Sequence, residues 1–290
     1  MSNAAPSLRV VSPSQGLPSG VTITPWQPAL GVSVAGLRYD GGALPDGLQQ
    51  TLRNTLFSHG VLLFEPGTVT AQNFTKFVAF LGEFIGYGGP HTPRAADNPD
   101  ATVIDSTRDE FLRNHIWHVD GGFRQDAPSF TALFANKLPE TGGDTIFSNA
   151  ILAYEHFDPL FRAYLDSLTV IQSADATGHL QDRYFNPVQL AEQRTKLPPF
   201  EEPLIRRHPV TGRGQINVNE SYTGYIKGLT RIASQNILGI LFDAIKAPEV
   251  TGRVSWKQGA LAVWDNRVVQ HKGIKDYGGS HRVLYRVTLS

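Results

Sequence analysis

The sequence predicts a mixed α/β fold that is mainly β, with a jelly-roll core, flanking helices and long loops. Three observations predict it. Short segments of β-branched and aromatic residues are spread over the whole length of the 290 residues, helices come early and at intervals, and the two do not alternate regularly as in a parallel sheet. A barrel of short strands with helices packed outside fits this order better.

The first third of the chain places two helices among strands. Residues 21–34 alternate and carry β-branched side chains, which predicts short strands. Apolar residues at helical spacing predict a helix over 44–58, ended by a glycine, and a buried strand follows at 61–64. The same spacing predicts a second helix over 70–82, with Thr70 as its N-cap.

Two long segments carry little regular pattern. Residues 86–113 are rich in Gly, Pro and Asp around one strand-like piece at 101–104, and residues 178–202 are a second irregular insert. Loops of this length are uncommon and are often functional, so both are candidate lids over a site. The remaining patterns predict helices at 149–165 and 231–245 and strands at 117–119, 131–136, 168–173, 215–219, 253–256, 261–264 and 281–289.

Composition excludes several classes of site and partner. The chain has no cysteine, so disulfides, thiolate nucleophiles, iron–sulfur clusters and Cys-type zinc sites are excluded, and any metal must bind to His and carboxylates. Lys plus Arg equal Asp plus Glu at 26 each, so no net charge attracts nucleic acid or an anionic membrane.

Localisation and domain organisation follow from the same patterns. No run of about 18 apolar residues predicts a membrane span, and the N-terminus lacks the apolar core of a signal peptide. We therefore expect a cytoplasmic protein. Residues 1–20, rich in Ser, Pro and Ala, are expected to form a flexible tail before a single domain at 21–290.

A candidate metal site begins in the segment NHIWHVDGGF. Residues i and i+2 of a strand point to the same face, so His118 and Asp120 would offer an imidazole and a carboxylate to one point. His271, far downstream, would complete a site of two His and one carboxylate, which suits non-haem Fe(II) because it leaves positions open for a co-substrate and O₂. An H-x-D triplet alone is weak evidence, and zinc accepts the same ligands, so spacing leaves the metal undetermined.

The C-terminal strand adds two cations. Arg282 and Arg286 alternate with apolar residues, so they share one strand face. Two arginines at the mouth of a barrel are suited to bind carboxylates through paired hydrogen bonds. A solvent-facing edge strand that carries arginine for solubility is the alternative explanation.

Taken together, an ordered set of motifs over residues 60–288 resembles the TauD/TfdA family, the taurine-dioxygenase-like 2-oxoglutarate oxygenases. The motifs are WHVD at 117–120, LPETGGDT at 138–145, HPVTGR at 208–213, VN at 218–219, WDNR at 264–267, His271, DY at 276–277, and the pair Arg282 and Arg286.

The resemblance implies a fold and a set of ligands. It implies a cupin-like double-stranded β-helix core that uses Fe(II), 2-oxoglutarate and O₂. By position, His118, Asp120 and His271 match the iron ligands, and Thr145 and Arg282 match the residues that hold the distal carboxylate of 2-oxoglutarate.

The resemblance also implies substrate contacts. Arg286 matches a position that approaches the anionic end of the substrate, Asn114 matches a substrate-contacting Asn, and Phe123 is a candidate wall of the pocket. Tyr87 falls near a position where taurine-specific members have a sulfonate-binding His, so taurine itself is not the expected substrate. Because Asp120 occupies the carboxylate position, a halide has no vacant ligand position and a halogenase is disfavoured.

The implied activity is oxidation of a C–H bond in a small anionic molecule, with release of succinate and CO₂. Hydroxylation, C–X cleavage and desaturation all share this chemistry. We also expect a homo-oligomer, a dimer or a tetramer. From the ligands alone, two other classes stay open: a zinc hydrolase, which would not need Thr145 or Arg282, and a cupin-like binding protein without turnover.

Overall fold

The computed structural model describes residues 17–86, 93–108, 114–176 and 187–290. In chain order, the strands of these ranges are β1 Thr22–Pro25, β2 Val32–Ala35, β3 Val61–Phe64, β4 Arg94–Ala95, β5 Asn98–Asp105, β6 Phe130–Lys137, β7 Thr145–Asn149, β8 Thr169–Gln172, β9 Phe200–Pro203, β10 Ile205–Arg207, β11 Gly214–Ile216, β12 Thr223–Ile226, β13 Thr251–Val254, β14 Leu261–Asp265, β15 Val269–Gly273 and β16 Val283–Leu289. The α-helices are α1 Asp46–His59, α2 Phe74–Val78, α3 Ala150–Glu155, α4 Pro159–Asp166, α5 Pro187–Lys196 and α6 Arg231–Lys246.

One large sheet and three small sheets form the β core. The large sheet has the order β1-β2-β3-β14-β6-β16-β5-β4, and the small sheets are β13-β7-β15, β12-β8-β9 and β10-β11. Among the described residues, the strands pair antiparallel except β2 with β3, which are parallel. The neighbours β3, β14, β6, β16 and β5 of the large sheet are far apart in the chain. Their connections therefore cross between sheets, as a jelly roll requires. The predicted mainly β, jelly-roll architecture is confirmed.

The two faces of the large sheet bury two separate cores. Along β14, Ala262 and Trp264 face the core inside the barrel, whereas Leu261 and Val263 face the core beneath α1 and α2. This alternation is the period of two expected for a strand that is buried on both faces. The inner core surrounds the site described below.

The structure corrects the predicted helix at 149–165. Two helices, α3 and α4, replace it, because Asp158 accepts a hydrogen bond from the backbone N–H of Phe161 and Pro159 occupies the first turn of α4. A proline is favoured at the start of a helix and breaks a helix in which it is internal. Asn149 caps α3 in the same way, through the N–H groups of Ile151 and Leu152.

The predicted helix at 70–82 is also shorter than expected. The α-helix begins at Phe74 and ends at Val78, and a 3₁₀ turn continues to Leu81. Thr70 is not its N-cap, because the Asn73 side chain accepts a hydrogen bond from the Thr70 N–H and holds a turn before the helix.

Both predicted loops contain regular structure. The antiparallel pair β4 and β5 lies within 86–113, and α5 and the first three residues of β9 lie within 178–202. Residues 87–92, 109–113 and 177–186 of these segments, and residues 1–16 of the expected tail, lie outside the described residues. The predicted strand at 117–119 is a single bridge at His118. The single-domain organisation of 21–290 and the lid function of the loops stay predictions.

The sequence analysis predicted no strand at six positions where the structure has one: β4, β7, β9, β10, β12 and β15. Each is short, so few residues carry a pattern that alternates. In the part of the chain that the structure describes, none of the helices has the length and apolar character needed to span a bilayer.

Candidate active site

Two distant segments meet at a single backbone bridge. His118 and His271 exchange both backbone hydrogen bonds, at 3.1 and 3.0 Å, and their ring centroids lie 4.3 Å apart. His271 lies in the middle of β15, which pairs with β7 on its other side. The bridge therefore delivers two imidazoles to one place from positions 153 residues apart in the sequence.

Asp120 completes a cluster of three potential metal ligands. One ligand atom from each of His118, Asp120 and His271 can be chosen so that all three lie within 4.8 Å of one another. Nε2 of each imidazole lies 3.9 Å from an oxygen of Asp120, on opposite oxygens. All three side chains are buried. The i, i+2 spacing thus places His118 and Asp120 together, as the sequence predicts.

The protonation states suit a divalent cation. Burial acts to raise the pKa of Asp120, but the Arg286 guanidinium, the two imidazoles and a hydrogen bond from Thr131 together lower it to about 2. Burial lowers the pKa of His271 to about 3, with a further contribution from His118, and burial likewise lowers the pKa of His118. At neutral pH the cluster is therefore a carboxylate with two neutral imidazoles, the forms that bind metals.

The orientation of each imidazole fits the same cation. Nδ1 of His118 lies 2.7 Å from the carbonyl oxygen of Ile116, so Nδ1 carries the proton and Nε2 presents its lone pair to the cluster. The ring of His271 is held by packing, with Trp264 at 4.6 Å edge-on and Phe147 at 5.8 Å nearly parallel. The donor set of two nitrogens and one carboxylate matches the facial arrangement of non-haem Fe(II) sites.

A buried chain of hydrogen bonds fixes Asp120. The indole N–H of Trp264 donates to Oδ1 of Asn266 at 2.9 Å, Nδ2 of Asn266 donates to Thr131 at 2.9 Å, and the Thr131 hydroxyl donates to Asp120 at 2.8 Å. Asn266 and Thr131 are both buried, and sequence analysis did not identify Thr131 as part of the site. No local pattern marks Thr131, because its partners are distant in the sequence.

The predicted carboxylate clamp lies at the start of β7. Nε of Arg282 donates to the carbonyl oxygen of Gly143 at 2.8 Å, which places this buried guanidinium two residues from Thr145. Gly143 has φ of +75°, and a Cβ there would lie 2.9 Å from Cδ of Arg282, so only glycine leaves room for the arginine. Along β7, Thr145 and Phe147 share the face that contacts His271.

Sequence reasoning missed Trp256, which orients Thr145. The indole N–H of Trp256 donates to Oγ1 of Thr145 at 3.0 Å. Because that oxygen accepts from the indole, its own proton can be donated to an incoming carboxylate oxygen. Trp256 lies just after β13, which pairs with β7.

A network of charges supports the loop that carries Gly143. Oδ1 of Asp276 accepts a hydrogen bond from the Gly143 N–H at 2.7 Å, and Arg253 forms ion pairs with both Asp144 and Asp276. Asp144 is buried and accepts hydrogen bonds from Arg253 and Ser255, so it stabilises this loop. His208, of the HPVTGR motif, is fully buried, and its Nε2 lies 3.0 Å from Oδ2 of Asp265.

Arg286 lies directly beside the metal-ligand cluster. Its Nη1 donates to Oδ1 of Asp120 at 2.9 Å. Arg286 lies on the barrel-side face of β16, because Leu284, two residues before it, belongs to the inner core, whereas Val287 belongs to the outer one. Arg282 precedes β16, so its sharing of that strand face stays a prediction.

The other predicted substrate contacts are placed as follows. The carbonyl of Asn114 accepts a hydrogen bond from the N–H of Gly273, two residues after His271, so Asn114 lies beside the cluster. Phe123 is half-buried and packs against Tyr222 with ring centroids 5.0 Å apart. Tyr87 lies outside the described residues.

The site has two imidazoles and one carboxylate that can bind one metal ion, and it lies inside a jelly-roll barrel near a buried arginine. These features define the class of non-haem iron oxygenases with a carboxylate co-substrate. The sequence matches the model of the taurine catabolism dioxygenase TauD, TfdA family over residues 22–288. The chain belongs to this family. It is a 2-oxoglutarate-dependent dioxygenase, an oxidoreductase that uses Fe(II), 2-oxoglutarate and O₂, rather than a zinc hydrolase or a binding protein without turnover.

Individual relatives agree with this assignment. An alkylsulfatase of Acinetobacter baylyi is 28% identical over 267 residues, which cover 90% of this chain and 82% of the relative. An alpha-ketoglutarate-dependent sulfate ester dioxygenase of Pseudomonas putida is 27% identical over 253 residues, 83% of this chain and 80% of the relative. The crystal structure of a taurine dioxygenase from Burkholderia xenovorans superimposes with a TM-score of 0.76 and 27% identity, covering 93% of this chain and 90% of that one.

Proposed function

We propose that His118, Asp120 and His271 hold Fe(II), that Thr145 and Arg282 hold the distal carboxylate of 2-oxoglutarate, and that the enzyme oxidises a C–H bond of a small organic anion. Succinate and CO₂ are the co-products. The observation that carries this proposal is the convergence of three buried ligand atoms within 4.8 Å, in protonation states that already suit a divalent cation.

The bound metal, with 2-oxoglutarate and O₂, supplies the oxidant that removes hydrogen from carbon. The protein residues bind, orient and exclude water. Thr131 and Arg286 each donate to one oxygen of Asp120, so the carboxylate is held in one orientation before metal binds. Trp264 and Phe147 enclose His271 in apolar surroundings, which excludes water from that side of the centre.

The clamp recognises a carboxylate through complementary donors. Arg282 offers a buried, planar guanidinium whose Nε is bound to the carbonyl of Gly143, and Thr145 offers one hydroxyl. A guanidinium and a carboxylate fit through paired, charge-assisted hydrogen bonds. These donors support binding of a dicarboxylic keto acid whose other end reaches the metal.

The positive charge of Arg286 close to the proposed metal centre supports a substrate that carries an anionic group. The relatives named above are described as acting on alkyl sulfates and sulfate esters. We propose that a small sulfate ester or sulfonate is the substrate class, with C–X cleavage following hydroxylation when the oxidised carbon carries the leaving group. Asn114, Tyr87 and Phe123 are retained as proposed substrate contacts.

The test begins with the metal complex. Protein purified without O₂ is mixed with Fe(II) and 2-oxoglutarate, its visible absorption band is recorded, and succinate is measured after air is admitted. Wild type is expected to form the band and succinate, and His118→Ala to form neither. His156→Ala is the matched control, because His156 is exposed at the C-terminal end of α3. Wild type without band and succinate, while folded, would contradict the proposal, as would a normal band in His118→Ala.

We also propose that the enzyme works as a cytoplasmic homo-oligomer. Large apolar side chains that are exposed in the single chain support an interface, for example Leu160 at 83% and Ile232 at 70% exposure. Light scattering of the purified protein tests this, and a mass of one chain would contradict it.

A further inference from the structure

A cavity of about 360 Å³ lies beside Arg286, between β16, β5, β4 and the segment 84–86. Arg286, Thr102, Thr288 and Arg94 are among the residues that line it. This volume lies at the lower end of the range for small-molecule sites. Because Arg286 also contacts Asp120, the cavity adjoins the proposed metal centre.

The strand register places Arg94 on the same face as Arg286. Arg286 is paired with Thr102 of β5, and Thr102 is in turn paired with Arg94 of β4. On the opposite side Arg286 is paired with Leu133, which belongs to the core inside the barrel. Directly paired residues project to the same face of a sheet, so Arg94, Thr102 and Arg286 form a row on the barrel-side face. The row runs from Arg94, which is exposed on the edge strand β4, to the buried Thr102 and the half-buried Arg286. Two strand spacings separate the arginines by about 10 Å at the backbone.

Arg286 and Arg94 differ in whether a carboxylate neutralises their charge. Arg286 donates to the carboxylate of Asp120 at 2.9 Å, so a metal ligand already neutralises part of its charge. Arg94 instead donates from Nη1 to the backbone carbonyl of Asp100 at 3.0 Å, which orients the guanidinium without neutralising it. Within 17–86, 93–108, 114–176 and 187–290, no carboxylate forms an ion pair with Arg94. Asp100 also lines the cavity, but its contact with Arg94 is through the carbonyl.

We propose that Arg94 is a second residue that recognises the anionic group of the substrate and sets the preference for anionic over neutral substrates. This inference rests on the proposed function. The anionic group lies between Arg94 and Arg286 with the Thr102 hydroxyl beneath it, and the carbon chain continues toward the metal. A guanidinium at each side can share the oxygens of one sulfate or sulfonate group.

The test is calorimetric titration, without O₂, of the protein loaded with Fe(II) and 2-oxoglutarate. The probes are hexyl sulfate, hexane-1-sulfonate and the neutral hexan-1-ol. Arg94→Gln is expected to raise the Kd of the anions by roughly 10- to 100-fold, the effect of losing one charge-assisted contact, and to leave hexan-1-ol unchanged. Arg94→Lys keeps the charge and is expected to recover part of the affinity. Arg231→Gln, an exposed arginine at the start of α6, is the matched control.

The outcomes separate this inference from the proposed function. Equal Kd values for the anions in Arg94→Gln and wild type would overturn the role of Arg94, as would a wild type that binds neither anion although it binds Fe(II) and 2-oxoglutarate. An equal loss of affinity for 2-oxoglutarate in Arg94→Gln would show a structural role instead, and overturns recognition. A wild type that does not bind Fe(II) and 2-oxoglutarate contradicts the proposed function itself.

Discussion

Replacement of Thr131 by valine tests whether the hydrogen-bond chain from Trp264 prepares Asp120 for metal binding. The hydroxyl of Thr131 donates to Asp120 at 2.8 Å and accepts from Asn266 at 2.9 Å, and all three side chains are buried. Valine has nearly the same shape but no oxygen. Thr131→Val therefore removes both hydrogen bonds and leaves the packing of β6 intact.

The expected losses of stability and of Fe(II) affinity follow from the two hydrogen bonds that Thr131 forms. Loss of a hydrogen bond to a charged group costs about 1.5–3 kcal/mol in stability. The second loss is smaller, because Asn266 keeps a contact to the carbonyl of Pro128 at 3.3 Å. Partners of metal ligands typically contribute 10- to 100-fold to metal affinity, and because Arg286 still holds the other oxygen of Asp120, we expect a loss of about tenfold.

The assay is anaerobic titration of Fe(II) in the presence of 2-oxoglutarate, with urea unfolding of the metal-free protein alongside. Thr75→Val is the matched control, since Thr75 is a buried threonine that donates to Asn98 on the helix side of the large sheet. It should lower the free energy of unfolding by about 1 kcal/mol and leave the affinity for Fe(II) unchanged. Wild-type affinity in folded Thr131→Val, or an equal loss in Thr75→Val, would refute the reasoning.

Two further predictions concern the co-substrate and pH. Trp256→Phe removes the N–H that donates to Thr145. The KM for 2-oxoglutarate should therefore rise about fivefold, with a smaller change in kcat, as expected for the loss of one neutral hydrogen bond. Steady-state kinetics with varied 2-oxoglutarate measure the KM, and an unchanged KM would contradict the prediction. Burial lowers the pKa of His59 below its usual 6.5. On acidification the unfolded chain therefore takes up a proton at this residue before the folded chain does. At pH values below about 6.5, the free energy of unfolding should decrease by up to about 1.4 kcal/mol per pH unit. His59→Gln should remove this part of the pH dependence in urea unfolding at pH 7.5 and 5.5, whereas parallel losses in the two proteins would contradict it.

Local patterns accounted for much of the secondary structure. The helix α1 ends as predicted, because Gly60 adopts φ of +76° and its N–H bonds to the carbonyl of Leu56, and such a conformation favours glycine. The prediction of one helix over 149–165 was wrong, because the helical spacing of apolar residues continues through Asp158 and Pro159. Capping at Asp158 outweighed that spacing, which shows that a break marked by specific residues can lie inside a continuous apolar pattern.

The sequence by itself determined the parts of the site that depend on short-range geometry. The i, i+2 relation of His118 and Asp120 follows from the two-residue period of extended backbone. The absence of cysteine restricted any metal to nitrogen and oxygen ligands. The ordered motifs then indicated the family, and the family in turn implied Fe(II) as the metal and 2-oxoglutarate as the co-substrate.

The tertiary structure decided which distant residues meet. The pairing of His271 with His118, the hydrogen bonds from Thr131 and Trp256, and the row that brings Arg94 beside Arg286 all join segments separated by strand crossovers. None leaves a local pattern, because a strand's register with its neighbours is set by packing of the whole barrel rather than by the strand's own residues. The individual ligands are therefore readable in the sequence, whereas their supporting contacts and the charge arrangement of the adjoining cavity exist only in the folded chain.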